Sequence, residues 1–396
     1  MKPAIEVIGL ENCAGCFSCY NSCPFDAIEM KESDDGFYYP YINEKCKECG
    51  ICQKHCPVIT PIQLAEVYDK PKFYAGWSKD EQIRIKSSSG GMFPELARLV
   101  LERGGVVFGV VWDGLKPVHV KIETQEDIQK LSGSKYLQSW VGSAYREAIE
   151  EAKKGREVLF SGTPCQVAAL NTFLSDEIYQ KVITVGLVCH GVPSLLVFRK
   201  YIEWIERKCG KVSAISFRDK RKGWEDYCMV LKLENGKEIA RYHYLDPFFY
   251  GYLKNLYLRS TCYKCPFAKI PRFEDITLGD FWGVPKELKD KRGVSVVLAN
   301  TQKGLEKLLE LRDKGRIELK EVEMEIATRG NPRIFKGELS VPPIREKILK
   351  EVRSNPFGDI AKEYLSLSLL YRILYLKPIR MSLRFAAGLK RSLKGV

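Results

Sequence analysis

The sequence has no apolar run long enough to cross a bilayer. Its longest, VITVGLVCHGV and LSLSLLYRILYL, stop well short of the roughly 18 residues that a spanning helix needs. The opening MKPAIEVIGLENC carries no secretory pattern, low-complexity sequence is absent, and no cysteine follows Cys265. These absences, with fourteen cysteines in the chain, set the expectation of a cytoplasmic protein whose clustered thiols, kept reduced, serve metal rather than disulfides.

What is present narrows the class further. At 396 residues and 45% hydrophobic, the chain is long enough for a full core and one or two additional modules. A formal charge of +13 would ordinarily suggest nucleic acid or an anionic surface. That count treats thiols as neutral, whereas an oxidised four-iron cluster with its four thiolates carries roughly two negative charges. Bound clusters shrink the excess, and no nucleic-acid partner is expected.

Two stretches, NCAGCFSCYNSCPFDAI and KCKECGICQKHCPVI, each read C-x2-C-x2-C-x3-C-P. Three thiolates on one tight loop reach three corners of a cubane, and the proline turns the chain away. In this run the fourth cysteine crosses to the other cluster. Cys13, Cys16, Cys19 and Cys56 therefore form one expected ligand set, and Cys46, Cys49, Cys52 and Cys23 the second. A zinc module needs only two cysteine pairs, so two tandem four-cysteine runs overfill it.

Beyond Pro61 strand and helix signals alternate. KFYAGWS, VVFGVVW, VLFSG, VITVGLVC and VSAISFR read as strands, separated by the helical FPELARLVLERGG, AYREAIEEAKKGRE, CQVAALNTFL and LLVFRKYIEWIERKCG. YCMVLKLENGKEIARYHY breaks the rhythm with an Asn235-Gly236 hairpin signal, and DITLGDFWG and VSVVLAN resume it. The expectation is an α/β core with a mostly parallel sheet and an antiparallel insertion, preceded by a small ferredoxin-like α+β domain. The expected divisions are residues 1–66, 67–335 and a basic amphipathic tail at 336–396.

Four further cysteines form a less local pattern. Cys165 and Cys189 each follow the end of a predicted buried strand, and in a parallel sheet those ends share one crevice. A loop carrying Cys262 and Cys265 over that edge would complete four soft ligands for a third cluster. Taken singly, each would read as a small buried hydrophobe. Cys209 and Cys228 imply no metal geometry and read as structural, and His190 reads as an outer-shell partner of sulfur.

SSSGG, residues 87–91, sits at a strand-to-helix junction that suits a diphosphate and equally suits a plain serine cap. One-electron clusters beside a nucleotide pocket call for a converter between hydride and single electrons, usually a flavin.

SSSGG, GSKY, SGTPCQ, CHGVP, ISFRDK with GW, CYKCPF and DITLGDFWG, in this order over about residues 70–285, resemble the coenzyme F420 hydrogenase/dehydrogenase beta-subunit family. The N-terminal pair of cysteine runs resembles the fused form of that family. The resemblance implies an oxidoreductase that binds FAD, with Ser88, Ser89, Gly90, Gly91, Lys135 and Tyr136 at the cofactor. It also implies a core four-iron cluster on Cys165, Cys189, Cys262 and Cys265, making three 4Fe-4S clusters in all. Coenzyme F420 is then the two-electron partner, and a redox partner protein or catalytic subunit takes or supplies single electrons. The alternative is an FAD and iron–sulfur electron-transfer protein that does not use coenzyme F420 and serves a partner reductase or a surface-polysaccharide biosynthetic enzyme.

From Tyr364 onward the chain carries Arg372, Lys377, Arg380, Arg384, Lys390, Arg391 and Lys394 and no acidic residue, interleaved with leucines and aromatics. That pattern suits peripheral membrane association on anionic lipid, subunit docking, or a terminal helix folded back on the core.

Overall fold

The computed structural model describes residues 1–62 and 67–365. The expected boundary near residue 66 and the basic residues from Arg372 to Lys394 fall outside them. Within the first stretch, β1 (Ile28–Glu32) and β2 (Tyr38–Ile42) form an antiparallel hairpin, flanked by the short helices Ser18–Ser22 and Ile51–Lys54.

The remaining strands are β3 (Val67–Ser78), β4 (Val106–Asp113), β5 (Lys116–Ile122), β6 (Val158–Gly162), β7 (Val182–Leu187), β8 (Val212–Asp219), β9 (Cys228–Leu233), β10 (Glu238–Tyr242), β11 (Ile276–Asp280), β12 (Ser295–Thr301) and β13 (Ile317–Glu321). Eight of them make one mixed sheet in the order β13-β3-β12-β11-β7-β6-β4-β5. Its centre is parallel, with β4, β6, β7 and β11 neighbours in that sense, as strand–helix alternation predicts. Both margins are antiparallel. At one margin a tight turn with Gly114 at φ 58° joins β4 to β5, a connection that only antiparallel strands make.

Alternation along the central strands explains why both faces are covered. Val106 and Phe108 of β4, with Val158 and Phe160 of β6, pack on one side with Ala144, Tyr145 and Ala148 of the helix Ala144–Lys153. Val107 and Leu159 face the other side, against Leu96 and Val100 of the helix Met92–Leu101 and Leu308 of the helix Gln302–Asp313.

VSAISFR, which continues the alternation in sequence, leaves the main sheet. As β8 it pairs with β9, and β9 with β10, in a separate three-stranded antiparallel sheet. Gly236, at φ 80°, makes the Asn235-Gly236 turn of that insertion. At the end of the described chain, the helices Arg345–Ser354 and Phe357–Tyr364 pack into the same apolar cluster as the helix Leu195–Cys209, with Phe357 edge-on to Tyr201 at 5.4 Å. Among the described residues no helix is long and apolar enough to cross a membrane.

Candidate metal centres and the adjoining cleft

The two N-terminal cysteine loops use the same backbone device. Around Cys16 the flanking residues Gly15 and Phe17 take φ of 62° and 68°, and around Cys49 the equivalent Glu48 and Gly50 take 47° and 79°. A left-handed residue on each side of the middle cysteine curls the loop so that three thiols turn inward. Phe17 holds a conformation unfavourable for its type, and its ring is wedged edge-on against Trp140 at 4.9 Å and Tyr38 at 6.0 Å.

The thiols gather as the crossed-ligand pattern predicts. Cys13, Cys16, Cys19 and Cys56 line one small cavity, and Cys23, Cys46, Cys49 and Cys52 line another. Burial and then the neighbouring thiols push Cys16 and Cys19 well above the ordinary thiol range. Both thiols resist ionisation on their own, and a bound cation is what would release their protons. Backbone N–H groups already point at sulfur, from Ala4 to Cys52 at 3.3 Å, Gly15 to Cys13 at 3.4 Å and Ala27 to Cys23 at 3.4 Å. The donor sets fit four-iron clusters. Among the described residues, no three His, Cys, Asp or Glu side chains form a single-ion site.

The core cysteines come from three separated segments. Cys165 opens the helix Pro164–Asn171 just past β6, Cys189 follows β7, and Cys262 lies in the turn Ser260–Tyr263 with Cys265 just beyond it. Mutual electrostatic contact links Cys165, Cys189 and Cys262 to Cys265, and burial followed by those neighbours pushes Cys262 up to about 12. Val192 N–H donates to the Cys262 sulfur at 3.4 Å. Arg333, which nothing in the sequence marks, binds the Cys189 carbonyl at 3.2 Å and the Cys262 carbonyl at 3.3 Å, putting a fixed cation beside the set. Cys209 ends an exposed helix terminus and Cys228 is buried in β9.

The three sets adjoin one another. Cys16, Cys165 and Cys265 pack together around Ala14, Ala168 and Phe267. Cys19 of the first set lies within electrostatic reach of Cys52 of the second. Polar bolts fix the small domain here: Gln138 Nε2 donates to Gly15 O at 2.9 Å, Tyr145 Oη to Cys16 O at 2.7 Å, and the fully buried Arg259 Nε to Cys13 O at 2.7 Å.

Beside the core set lies an open cleft of about 270 Å³ at the carboxyl ends of β6, β7 and β11. Ser88, Ser89, Gly91, Lys135 and Tyr136 line it, and so does Cys189. Gly90 sits behind the lining, where an added Cβ would strike Gly76 O, so the loop admits no side chain there. Ser89 Oγ donates to Val294 O and Gly90 N to Ser295 Oγ, both at 2.9 Å. Gly91 caps the following helix at φ 83° with no side-chain acceptor, and Met92, Phe93 and Pro94 of its first turn line the cleft. An uncapped helix terminus can hold an anion through backbone N–H groups, of which Pro94 offers none.

Lys135 lines the cleft while its ammonium donates to the carbonyls of Leu131, Ser132 and Gly133 at 3.1–3.2 Å, and burial pushes its pKa down to about 8. Tyr136 stands edge-on to Tyr252 at 5.4 Å, with its hydroxyl pushed up to about 12 by burial. His190 also lines the cleft, and its buried Nε2 has no hydrogen-bond partner among the described residues. Lys220, the last residue of ISFRDK, ties the loop from behind, donating to Arg84 O at 2.7 Å and Ser89 O at 3.1 Å.

Comparison with known proteins follows these divisions. Residues 73–145 match the N-terminal part, and residues 155–325 the C-terminal part, of the family described as coenzyme F420 hydrogenase/dehydrogenase, beta subunit. Residues 12–59 match the 4Fe-4S dicluster domain. The F subunit of the F(420)H(2) dehydrogenase of Methanosarcina mazei is 26% identical over 255 residues, covering 55% of this chain and 71% of that protein. The VorC subunit of the ketoisovalerate oxidoreductase of Methanothermobacter marburgensis is 36% identical over 67 residues, 16% of this chain and 85% of its own length. Among solved structures, a chain of the F420-reducing NiFe hydrogenase complex from Methanosarcina barkeri, derivatised with xenon, is 22% identical with a TM-score of 0.49, covering 73% of this chain and 93% of that one.

Proposed function

The chain belongs to the coenzyme F420 hydrogenase/dehydrogenase beta-subunit family, with a 4Fe-4S dicluster domain ahead of it, and from that premise we propose an FAD-dependent exchange of hydride with a deazaflavin. FAD would supply the conversion between a two-electron hydride and single electrons, which 4Fe-4S clusters carry one at a time. The protein's part is placement. The open helix terminus and Ser88–Gly91 would hold the diphosphate, and Tyr136 and Tyr252 would wall the ring end beside Cys189.

One observation carries this reading: the cleft and the three cysteine sets form an unbroken series. Cys189 belongs to the cleft wall and to the core set, Cys165 and Cys265 pack with Cys16, and Cys19 reaches Cys52. Electrons would leave or enter through the second set, where Cys49 is exposed, to a redox partner protein or catalytic subunit.

Two measurements on anaerobically purified protein test it. About 12 irons per chain, four for each set, are expected together with one flavin. About 8 irons would remove the core cluster and break the series. Reduced coenzyme F420 should bleach the flavin absorbance without another reductant. A flavin that stays oxidised with it yet is reduced by a ferredoxin would overturn the deazaflavin assignment and leave the electron-transfer reading.

A further inference from the structure

Three motif residues that the proposed function leaves unused converge on one carboxylate. Arg218 of β8 donates through Nη2 to Asp280 Oδ1 at 2.6 Å, and Trp224 Nε1 donates to the same oxygen at 2.6 Å. The Trp224 and Trp282 rings stack at 5.2 Å with an interplanar angle of 1°, and the Arg218 guanidinium lies 3.7 Å over the Tyr227 ring and 5.0 Å from that of Trp282. Arg218's side chain is 1% exposed and that of Asp280 12%. Asp280 is therefore held in a single orientation from behind.

The front of that carboxylate is the cleft. Asp280 ends β11 and lines the cleft wall, and no described residue donates to its Oδ2. Gly279 beside it lets the strand end close on β7, since a Cβ there would meet Val188 Cγ2 at 2.7 Å. Tyr136 and Cys189 line the same cleft as Asp280, and Tyr136 lies within electrostatic reach of both. A buried ion pair adds little stability compared with apolar packing. An ion pair with one oxygen braced by two donors and the other left open to a crevice has the form of a binding group.

We propose that Asp280 Oδ2 accepts a hydrogen bond from the imide N–H of a pyrimidinedione ring bound in the cleft, with Arg218 and Trp224 as positioning residues. The inference rests on the proposed function for the presence of such a ring. FAD and a deazaflavin share that imide, and the fixed negative charge beside it selects a ring that carries the proton. A ring lacking the N–H would leave the carboxylate desolvated without a partner, which weakens binding more than loss of a neutral contact.

The test is a double-mutant cycle between protein and ligand. Flavin-free, iron-loaded full-length chain is titrated anaerobically with FAD and with oxidised coenzyme F420, each beside its imide-N-methylated counterpart, following fluorescence. For the ring seated on Asp280, methylation should weaken binding to the native chain about ten- to a hundredfold. The penalty should fall below about tenfold in Asp280→Asn, which keeps the shape and loses the charge, and below about threefold in Asp280→Ala. Trp224→Phe, which does not reach the cleft, should give an intermediate penalty. Iron content equal to the native chain verifies folding in each variant. The penalty's ligand, FAD or the deazaflavin, identifies which ring sits there. Equal penalties in native, Asp280→Asn and Asp280→Ala for both rings overturn this inference and leave the proposed function standing. Failure of both rings to bind the native chain overturns the inference and the proposed function together.

Discussion

The small N-terminal domain and the α/β core gather cysteines in two different ways. The eight of the domain lie between residues 13 and 56 and are aimed by local turns, with the paired left-handed residues Gly15 and Phe17 in one loop and Glu48 and Gly50 in the other. The four of the core lie on segments up to a hundred residues apart and meet because β6 and β7 end at one sheet edge. A local loop needs little protein but holds its shape only while something occupies it. A set built on strand ends inherits the rigidity of a packed sheet.

Iron removal should separate the two regions most sharply. The domain's hairpin and three short helices bury few large apolar side chains, chiefly Phe17, Ile28, Met30, Phe37 and Tyr38, and of these Phe17, Met30 and Tyr38 pack into the core's own cluster. A unit of that size relies on metal as a staple. With a chelator, residues 1–62 should lose hydrogen-exchange protection almost completely, while β6, β7 and the buried first half of β4 keep theirs. Equal loss in both regions would refute the distinction.

Arg259 tests how firmly the two are joined. Its buried guanidinium donates to Cys13 O at 2.7 Å and Tyr38 O at 3.0 Å from a core segment two residues before the turn's Thr261. Arg259→Leu keeps apolar bulk and strands both carbonyls, so a loss of about 2–5 kcal/mol is expected in thermal unfolding. The iron of the first set should be lost faster than that of the second, read by chelation kinetics. A uniform rate would mean the bolt is incidental.

The contrast also explains what the sequence makes legible. Cysteine spacing marks the domain's candidate ligands because three cysteines of each expected set share one loop, with the fourth on the other. Strand–helix alternation reports the core's crevice, and through it Cys165 and Cys189, because parallel strand ends share an edge. The partners of these groups are less visible. Arg333, Lys220 and Arg259 act through carbonyls far away in sequence, and a lone basic residue in a loop looks like solvent-facing charge. β8 carries the same apolar texture as the central strands, and only its pairing with β9 in space takes it out of the main sheet. Arg218, Trp224 and Asp280 look like an ion pair and a turn until both donors are seen on one oxygen of a carboxylate that lines the cleft.

A smaller effect should distinguish the cleft from the domain by pH. Burial pushes Lys135 and Lys220 down to about 8 from the ordinary lysine value near 10.5; Lys135 lines the cleft and Lys220 holds the Ser89 carbonyl behind it. Below about pH 8 both are charged and favour a diphosphate, and above it that attraction fades, so dinucleotide affinity should fall about three- to tenfold between pH 7 and 9. For folding the sign reverses. The unfolded chain holds those protons to about 10.5, so between 8 and 10.5 it binds more protons than the folded one, and the lysines' contribution to stability rises with pH. Lys220→Met should flatten part of the affinity profile while iron retention stays level across the same range. If affinity instead rises with stability, the lysines serve only the fold, and the anion is held by the helix terminus at Gly91 alone.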